Sequence, residues 1–425
     1  MNIGIQTWGS EGDVRPFLAL AAGLRAAGHD VTLAVTHVTN KDYTDLGASF
    51  GVPVRQVGRL GADLPKLAGE ALAGKSNILG QVDLILRDLF APAAQDMLSE
   101  AKRLCRENEL VIGHFLVHPL KTAAELSGRP HVSVFLAPLI PSAHFPPPGV
   151  PHLGTFMNAL FWKAGSVLMN RTFLPPVNAL RRAEGLGPVR SAVRQAFLSP
   201  RLNLIASSPS LVPPPADWDN TIRVCGAFHL PEQRSVPQVP ERIKQFIAAK
   251  PHPVYMTFGS MSIGDPAFDD TVQMLAEAAR LAQCRAIIQT EGQVAAAGAE
   301  HPDILYVDRL EHQRVFPGCA AVVHHGGAGT AHAASRAGCP SIVVEHVTDQ
   351  AFWGGVLHRA GIAPPLLHRR TVTAAGLARA IRTVLDSPSM RDAAHQIGVG
   401  MRQEDGVMRA VELIEEQRWK RSNPE

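Results

Sequence analysis

The chain has 425 residues, of which 46% are hydrophobic and 19% charged, and its formal net charge is +3. The length exceeds the roughly 250–300 residues at which a single core stops growing, so two domains are expected, and the composition is globular rather than disordered. The basic stretches are short pairs (Arg181-Arg182, Arg369-Arg370, Lys420-Arg421), which argues against the clustered basic face of a nucleic-acid binder.

Five cysteines (Cys105, Cys225, Cys284, Cys319, Cys339) are widely spread with no CxxC pair. A disulfide framework or zinc site is therefore not expected, and a reducing cytoplasmic location fits. The first residues enter an apolar strand with no basic leader, so no signal peptide is expected, and the apolar runs are too short to span a bilayer.

In chain order, residues 2–7 read as a strand and 16–27 as a helix with Pro16 at its first position and Gly28 ending it. Strands follow at 31–35, 109–113 and 131–135, with helical stretches between, notably 78–104. Prolines interrupt regular structure over 137–151. An apolar helical segment spans about 153–184, and strands resume near 202–206 and 222–226. The polar, proline-rich 229–240 suits a linker. Beyond it, strands are expected at 253–257, 285–289, 304–307, 320–323 and 340–344. Helices are expected at 266–282, 328–337, 349–360, 373–386 and 405–419.

Strand–helix alternation implies an α/β fold of parallel sheets with helices on both faces. The expected organisation is a domain over 1–228, a linker over 229–240, a second domain over 241–404 and a C-terminal helix over 405–425 returning towards the first. Ligands bind such sheets beyond the carboxyl ends of the strands, and the motifs with chemistry in them fall there.

The stretch 321–330 (AVVHHGGAGT) runs an apolar strand through two histidines and three glycines into a helix. Glycines let the backbone approach an anion, and the helix N-terminus supplies amides and a favourable dipole. A histidine there can add a phosphate donor; of the two, His324 reads as structural. Twenty residues on, Thr348-Asp349-Gln350 opens the next helix, where a carboxylate beside a carboxamide can grip sugar hydroxyls or simply cap the helix.

The N-terminal loop 9–16 (GSEGDVRP) is not GxGxxG, and no acidic residue ends the second strand, which argues against a dinucleotide cofactor. Asp13 at the helix entrance can take a proton from a hydroxyl or cap the helix. Ser10 can contact a phosphate or close the turn. One DxD string, Asp217-Trp218-Asp219, lies away from the glycine-rich loop and is not expected to hold a metal.

GSEGDVRPFLAL, GHDVTLAVTH, FGSM at 258–261, HHGGAGT at 324–330, AGCP, and TDQAFWG at 348–354 resemble, in order and spacing, family-1 glycosyltransferases. The likeness is nearest to the bacterial antibiotic-type and sterol-type (sterol 3-beta-glucosyltransferase-like) UDP-glycosyltransferases. The resemblance implies the GT-B fold, two Rossmann-like doubly wound domains facing across a cleft, and an inverting transfer of a hexose from a UDP-sugar or dTDP-sugar to a hydrophobic small-molecule acceptor.

It further implies that His325 and the amides of Gly327, Ala328, Gly329 and Thr330 bind the diphosphate, with Ser260 and Met261 beside it. Arg309 and Leu310 would lie against the base and ribose, Asp349 and Gln350 on the sugar, and Asp13 would be the general base. No metal or other cofactor is required on this account. Glu345 stands where the family usually has proline, and the stacking tryptophan of plant relatives is absent near 309, which leaves the sugar and base open.

His114, Phe115, Leu139, His144 and Phe145 are the candidate acceptor contacts, and the apolar segment 153–176 points to a sterol, polyphenol or polyketide acceptor. That segment could also make weak peripheral contact with a membrane. A nucleotide-sugar epimerase and a non-catalytic helper protein on the same fold are the alternatives.

Overall fold

Strands and helices alternate along most of the chain, and every pairing between the described strands is parallel. The computed structural model describes residues 1–61, 80, 84–148, 150–231, 239–259, 268–290, 301–308, 310–346, 348–417 and 419. These divide into two units. One holds the described residues of Met1–Ala62, Ser76–Pro231 and Asp405–Glu425; the other holds those of Glu232–Glu404.

The first unit has seven strands: β1 (Asn2–Gly9), β2 (Asp30–His37), β3 (Val54–Gln56), β4 (Leu110–His114), β5 (His131–Phe135), β6 (Leu202–Ile205) and β7 (Ile222–Val224). Their order in the sheet is β3-β2-β1-β4-β5-β6-β7. Its helices are α1 (Glu11–Ala26), α2 (Thr44–Ser49), α3 (Ala94–Glu107), α4 (His118–Ser127) and α5 (Thr155–Ala183). A π-helical turn at Ile85–Phe90 precedes α3.

Alternation along the strands sorts side chains between two cores. Ile3, Ile5, Val31, Leu33 and Val35 pack under α1, while Trp8, Ala34 and Val111 pack under α3 and α4. A third cluster joins Phe135 and Ile205 to Val177 of α5.

The second unit has α6 (Glu241–Ala248), β8 (Val254–Thr257), α7 (Phe268–Leu281), β9 (Ala286–Gln289), β10 (Ile304–Val307), α8 (His312–Val315), β11 (Ala321–His324), α9 (Ala328–Ala337), β12 (Ser341–Glu345), α10 (Thr348–Arg359), β13 (Leu367–His368), α11 (Ala374–Leu385) and α12 (Pro388–Arg402). Its sheet order is β10-β9-β8-β11-β12-β13. One face buries Met256, Ile288 and Val323 against α7 and α11. The other buries Tyr255, Ile287 and Val322 against Phe316 and Ile243.

The last helix, α13 (Gly406–Glu415), belongs to the first unit and buries Ala410, Val411, Leu413 and Ile414 in the core under α1. Glycines permit that approach. A Cβ on Gly406 would stand 2.4 Å from the Gly226 carbonyl carbon, and one on Gly23 would stand 2.2 Å from Val407 Cγ1.

The structure corrects one boundary that bears on the site. The first helix begins at Glu11, not near Pro16, and Pro16 lies inside it. Ser10 is the N-cap and its amide donates to the carboxylate of Asp13, three residues on, and that capping contact decides the boundary more strongly than the N1 preference of proline. Strands β3 and β13 and helices α2, α4, α6, α8 and α12 add to the elements given ranges from the sequence. Much of the expected linker, 232–238, lies outside the described residues, as do 62–79 and 81–83 around the expected helix 78–104.

Candidate active site

Both sheets reverse their winding direction once, β1 against β4 in the first unit and β8 against β11 in the second. At such a switch point the flanking loops run to opposite sides and leave a crevice beyond the strand ends. Asp13 and His114 lie at the first of these places, and His325 and Gly327 to Thr330 at the second.

In the first unit, β1 ends at Gly9, whose φ of 137° excludes most side chains. A Cβ there would stand 2.3 Å from Asp13 Oδ2, so glycine lets the carboxylate fold back over the turn. Asp13 Oδ2 accepts from the Ser10 amide at 2.8 Å and from the Ser10 hydroxyl at 2.9 Å. The backbone is pinned as well, because Thr7 Oγ1 donates to the Asp13 carbonyl at 3.0 Å.

One carboxylate oxygen is thus held, and the other, Oδ1, lies 3.9 Å from Nε2 of His114 at the end of β4. Asp13 keeps 35% of its side chain exposed, whereas His114 keeps 5%. Burial lowers the imidazole below its ordinary value, with the nearby Asp13 carboxylate opposing, so His114 is neutral near pH 7. Its Nδ1 accepts the Leu116 amide at 3.4 Å, which leaves the proton on Nε2, the nitrogen towards Asp13.

The other expected acceptor contacts divide. Phe115 stacks on Phe135 at 4.6 Å and meets Phe197 edge-on, within the packing of its cluster. Phe145 is buried against Trp218, and its carbonyl accepts from Trp162 Nε1. Leu139 is half-buried, and His144 is exposed with its carbonyl bound to His152. Both carboxylates of the DxD string serve their own chain. Asp217 takes the Ser142 hydroxyl and the Ala143 amide, and Asp219 takes the Thr221 amide and hydroxyl.

In the second unit, β11 and β8 end side by side, with His324 opposite Thr257. His324 is fully buried and its Nδ1 accepts the Gly326 amide at 3.0 Å, so it shapes the turn. His325 lies between two glycines. Cβ atoms placed on Gly259 and Gly327 would stand 3.3 Å and 2.3 Å from its ring. Gly326, with φ at 91°, fits against the Gln350 carbonyl, where a Cβ would stand at 2.9 Å.

Gly327 is the N-cap of α9 and supplies no side-chain cap, so the first-turn amides face outward with the positive end of the helix dipole. Burial, reinforced by His324, His346 and His312, pushes the His325 imidazole down to about 3. Its Nδ1 is a buried nitrogen without a hydrogen-bond partner. The loop therefore combines a bare helix start with a neutral imidazole.

Gln350 is buried, and its Oε1 accepts the His346 amide at 2.7 Å, which ties the start of α10 to the end of β12. Asp349 is the second residue of α10, and its side chain lies outside the described part. Ser260, Met261 and Arg309 lie outside the described residues. Leu310 packs half-buried against the Phe316 cluster. Glu345 pairs with the His368 imidazole across β12 and β13.

Two histidines here had not been singled out from sequence. His37 ends β2 beside Gly9. Its Nδ1 accepts the Thr39 amide and meets the Thr39 hydroxyl, and its buried Nε2 has no partner. His346 follows β12, with its ring edge-on to Phe258 at 4.8 Å. The available signal was position: each lies within two residues of the end of an apolar strand run.

Comparison with known proteins shows the family and the fold. Residues 272–408 match the family described as Erythromycin biosynthesis protein CIII-like, C-terminal domain. The glycosyltransferase GtfE of Amycolatopsis orientalis is 32% identical over 97% of this chain and 97% of its own length. A sterol 3-beta-glucosyltransferase of Arabidopsis thaliana is 28% identical over 97% of this chain, which spans 65% of that protein. The solved glycosyltransferase VinC in complex with dTDP superposes with a TM-score of 0.65 at 20% identity, covering 98% of this chain and 99% of that one. With two parallel-sheet α/β units and this full-length likeness, the chain belongs to the glycosyltransferase family of GtfE and has the GT-B fold.

Proposed function

We propose that the chain moves a hexose from a nucleoside diphosphate sugar, UDP- or dTDP-linked, to a hydroxyl of a hydrophobic small molecule of sterol, polyphenol or polyketide type, with inversion at the anomeric carbon. The observations that carry this reading are made in each unit by itself, at its own switch point. One presents a carboxylate with a single oxygen held and the other available. The other presents an uncapped helix start beside a neutral imidazole.

In the proposed reaction the acceptor O–H gives its proton to Asp13 Oδ1 as its oxygen bonds to the anomeric carbon. The bond from that carbon to the β-phosphate oxygen breaks on the opposite side, and the nucleoside diphosphate leaves with the electron pair. The amides of Gly327, Ala328, Gly329 and Thr330 and the His325 ring stabilise the charge that grows on it. Those groups carry the charge a divalent cation would otherwise neutralise, so no metal takes part. Asp349 and Gln350 orient the sugar hydroxyls.

His114 would orient the acceptor. An oxygen can lie about 2.8 Å from both Nε2 and Oδ1 across their 3.9 Å gap, accepting from the first and donating to the second. The sterol and antibiotic enzymes among the relatives support a greasy acceptor.

A pair of variants assayed in EDTA separates the roles. Asp13→Asn should lower turnover by roughly 10²–10⁴ while nucleoside diphosphate still binds in calorimetry. His325→Ala should weaken that binding by about tenfold, the loss of roughly one hydrogen bond. Wild-type turnover in Asp13→Asn, or unaltered affinity in His325→Ala, would remove the respective assignment.

A further inference from the structure

We infer that the exposed face of α5 is a docking surface for an anionic lipid bilayer, on which the helix lies flat. Phe156, Leu160, Lys163, Val167 and Arg171 recur at spacings of three and four along α5 and so form one stripe. The apolar members are open to solvent: Phe156 is 79% exposed, Val167 55% and Leu160 49%, with Leu153 just before the helix at 57%. Asn158 and Trp162, on the other side of the same turns, are buried, as are Val177 and Arg181 further along the helix. Large side chains clustered this way on a surface mark an interaction site rather than scatter.

Charge selects the occupant. Between residues 146 and 195 the sequence holds six lysines and arginines and one carboxylate, in a chain whose net charge is only +3. Glu184 is bound by Lys102, and Arg181 is buried against Glu125. Lys163 and Arg171 form no ion pair among the described residues. The segment carrying exposed Arg190 and Arg194 is laced to α5, with Ala192 donating to Asn170 and Val189 to Asn178, each at 2.8 Å. A groove lined by Asn170, Arg171, Asn178 and Arg182 runs beside the stripe.

Apolar side chains flanked by unpaired cations, with no acidic residue in α5, match the acyl boundary and phosphate layer of an anionic membrane. An acidic protein would match the cations but gain little from four exposed hydrophobic side chains. A second copy of the chain would bring the same positive charge to the contact. No turnover is involved, so this inference does not depend on the proposed function.

The test is co-flotation of the full chain with phosphatidylcholine vesicles, with and without phosphatidylglycerol. Binding to the anionic vesicles is expected, and it should fall as salt rises. Phe156→Glu/Leu160→Glu and, separately, Lys163→Glu/Arg171→Glu should each weaken it by roughly tenfold or more. These positions are exposed, so unchanged thermal melts should accompany the loss. Absence of binding to anionic vesicles, equal binding to neutral ones, or wild-type binding by both variants would overturn the proposal. So would a concentration-dependent dimer in sedimentation velocity that the Phe156→Glu/Leu160→Glu variant abolishes, because that result assigns the face to a second copy.

Discussion

Asp13 owes its orientation to residues that do no chemistry. Gly9 has no side chain where the carboxylate must turn, and Ser10 holds Oδ2 with two donors. Oδ1 is left facing the Nε2 nitrogen of His114. That arrangement makes His114 a separable contributor. His114→Phe keeps a ring of similar shape beside Phe17 and Phe115 and deletes Nε2. Turnover should fall by about tenfold or more, the cost of one orienting hydrogen bond, while nucleoside diphosphate affinity stays at the wild-type value. Because burial already keeps His114 neutral, the deficit should be the same at pH 7 and pH 8. Turnover equal to wild type, or a deficit that vanishes at the higher pH, would refute the orienting role.

Strand ends dominate the element scale, and they are also where the sequence was most informative. An apolar run closing on His-His-Gly-Gly or on Gly-Ser locates a strand, its loop and the following helix in one pattern, and β1, β11, α9 and α10 lie within a residue or two of where that pattern places them. What the sequence could not show was the partner across the sheet. His114 meets Asp13, and His37 lies beside Gly9, only because β1 is central between β2 and β4, a matter of tertiary order that local periodicity does not encode. The start of α1 was misplaced for a related reason: a local proline preference lost to a capping arrangement that needs two side chains at once. The docking of α13 carries its own test. Gly406→Ala would raise helix propensity, yet its Cβ would meet the backbone of Gly226 and Ala227 at about 2.5 Å. We expect a net loss of about 1–3 kcal/mol and faster amide exchange along α13. A raised melting temperature would show that the contact yields freely.

The molecule as a whole is expected to be unusually sensitive to mild acid, because both units bury neutral imidazoles. In the first, burial pushes His118 and His131 down to about 3, and each has a buried Nδ1 without a hydrogen-bond partner. In the second, His324 and His325 are pushed to about 3 for the same reason, with neighbouring imidazoles adding to the shift. The unfolded chain protonates these rings as pH falls through about 6.5, whereas the folded chain does not do so until near 3. Between those values the unfolded state binds more protons, so stability is complete above pH 6.5 and is lost progressively below it. Each ring contributes about 1.4 kcal/mol per pH unit over that interval, so two per unit remove roughly 3 kcal/mol per pH unit from a reserve on the order of 5–15 kcal/mol. Calorimetric unfolding from pH 8 to pH 4.5 should show both units losing melting temperature from about pH 6.5 downward, earlier than carboxylate protonation alone would produce. His118→Phe, which keeps a ring against Phe90, should flatten the pH dependence of the first unit by about one ring's share and leave the second unit's unchanged. A melting temperature that stays level down to pH 5, or a variant whose slope matches wild type, would mean that these histidines find a proton acceptor in the folded chain.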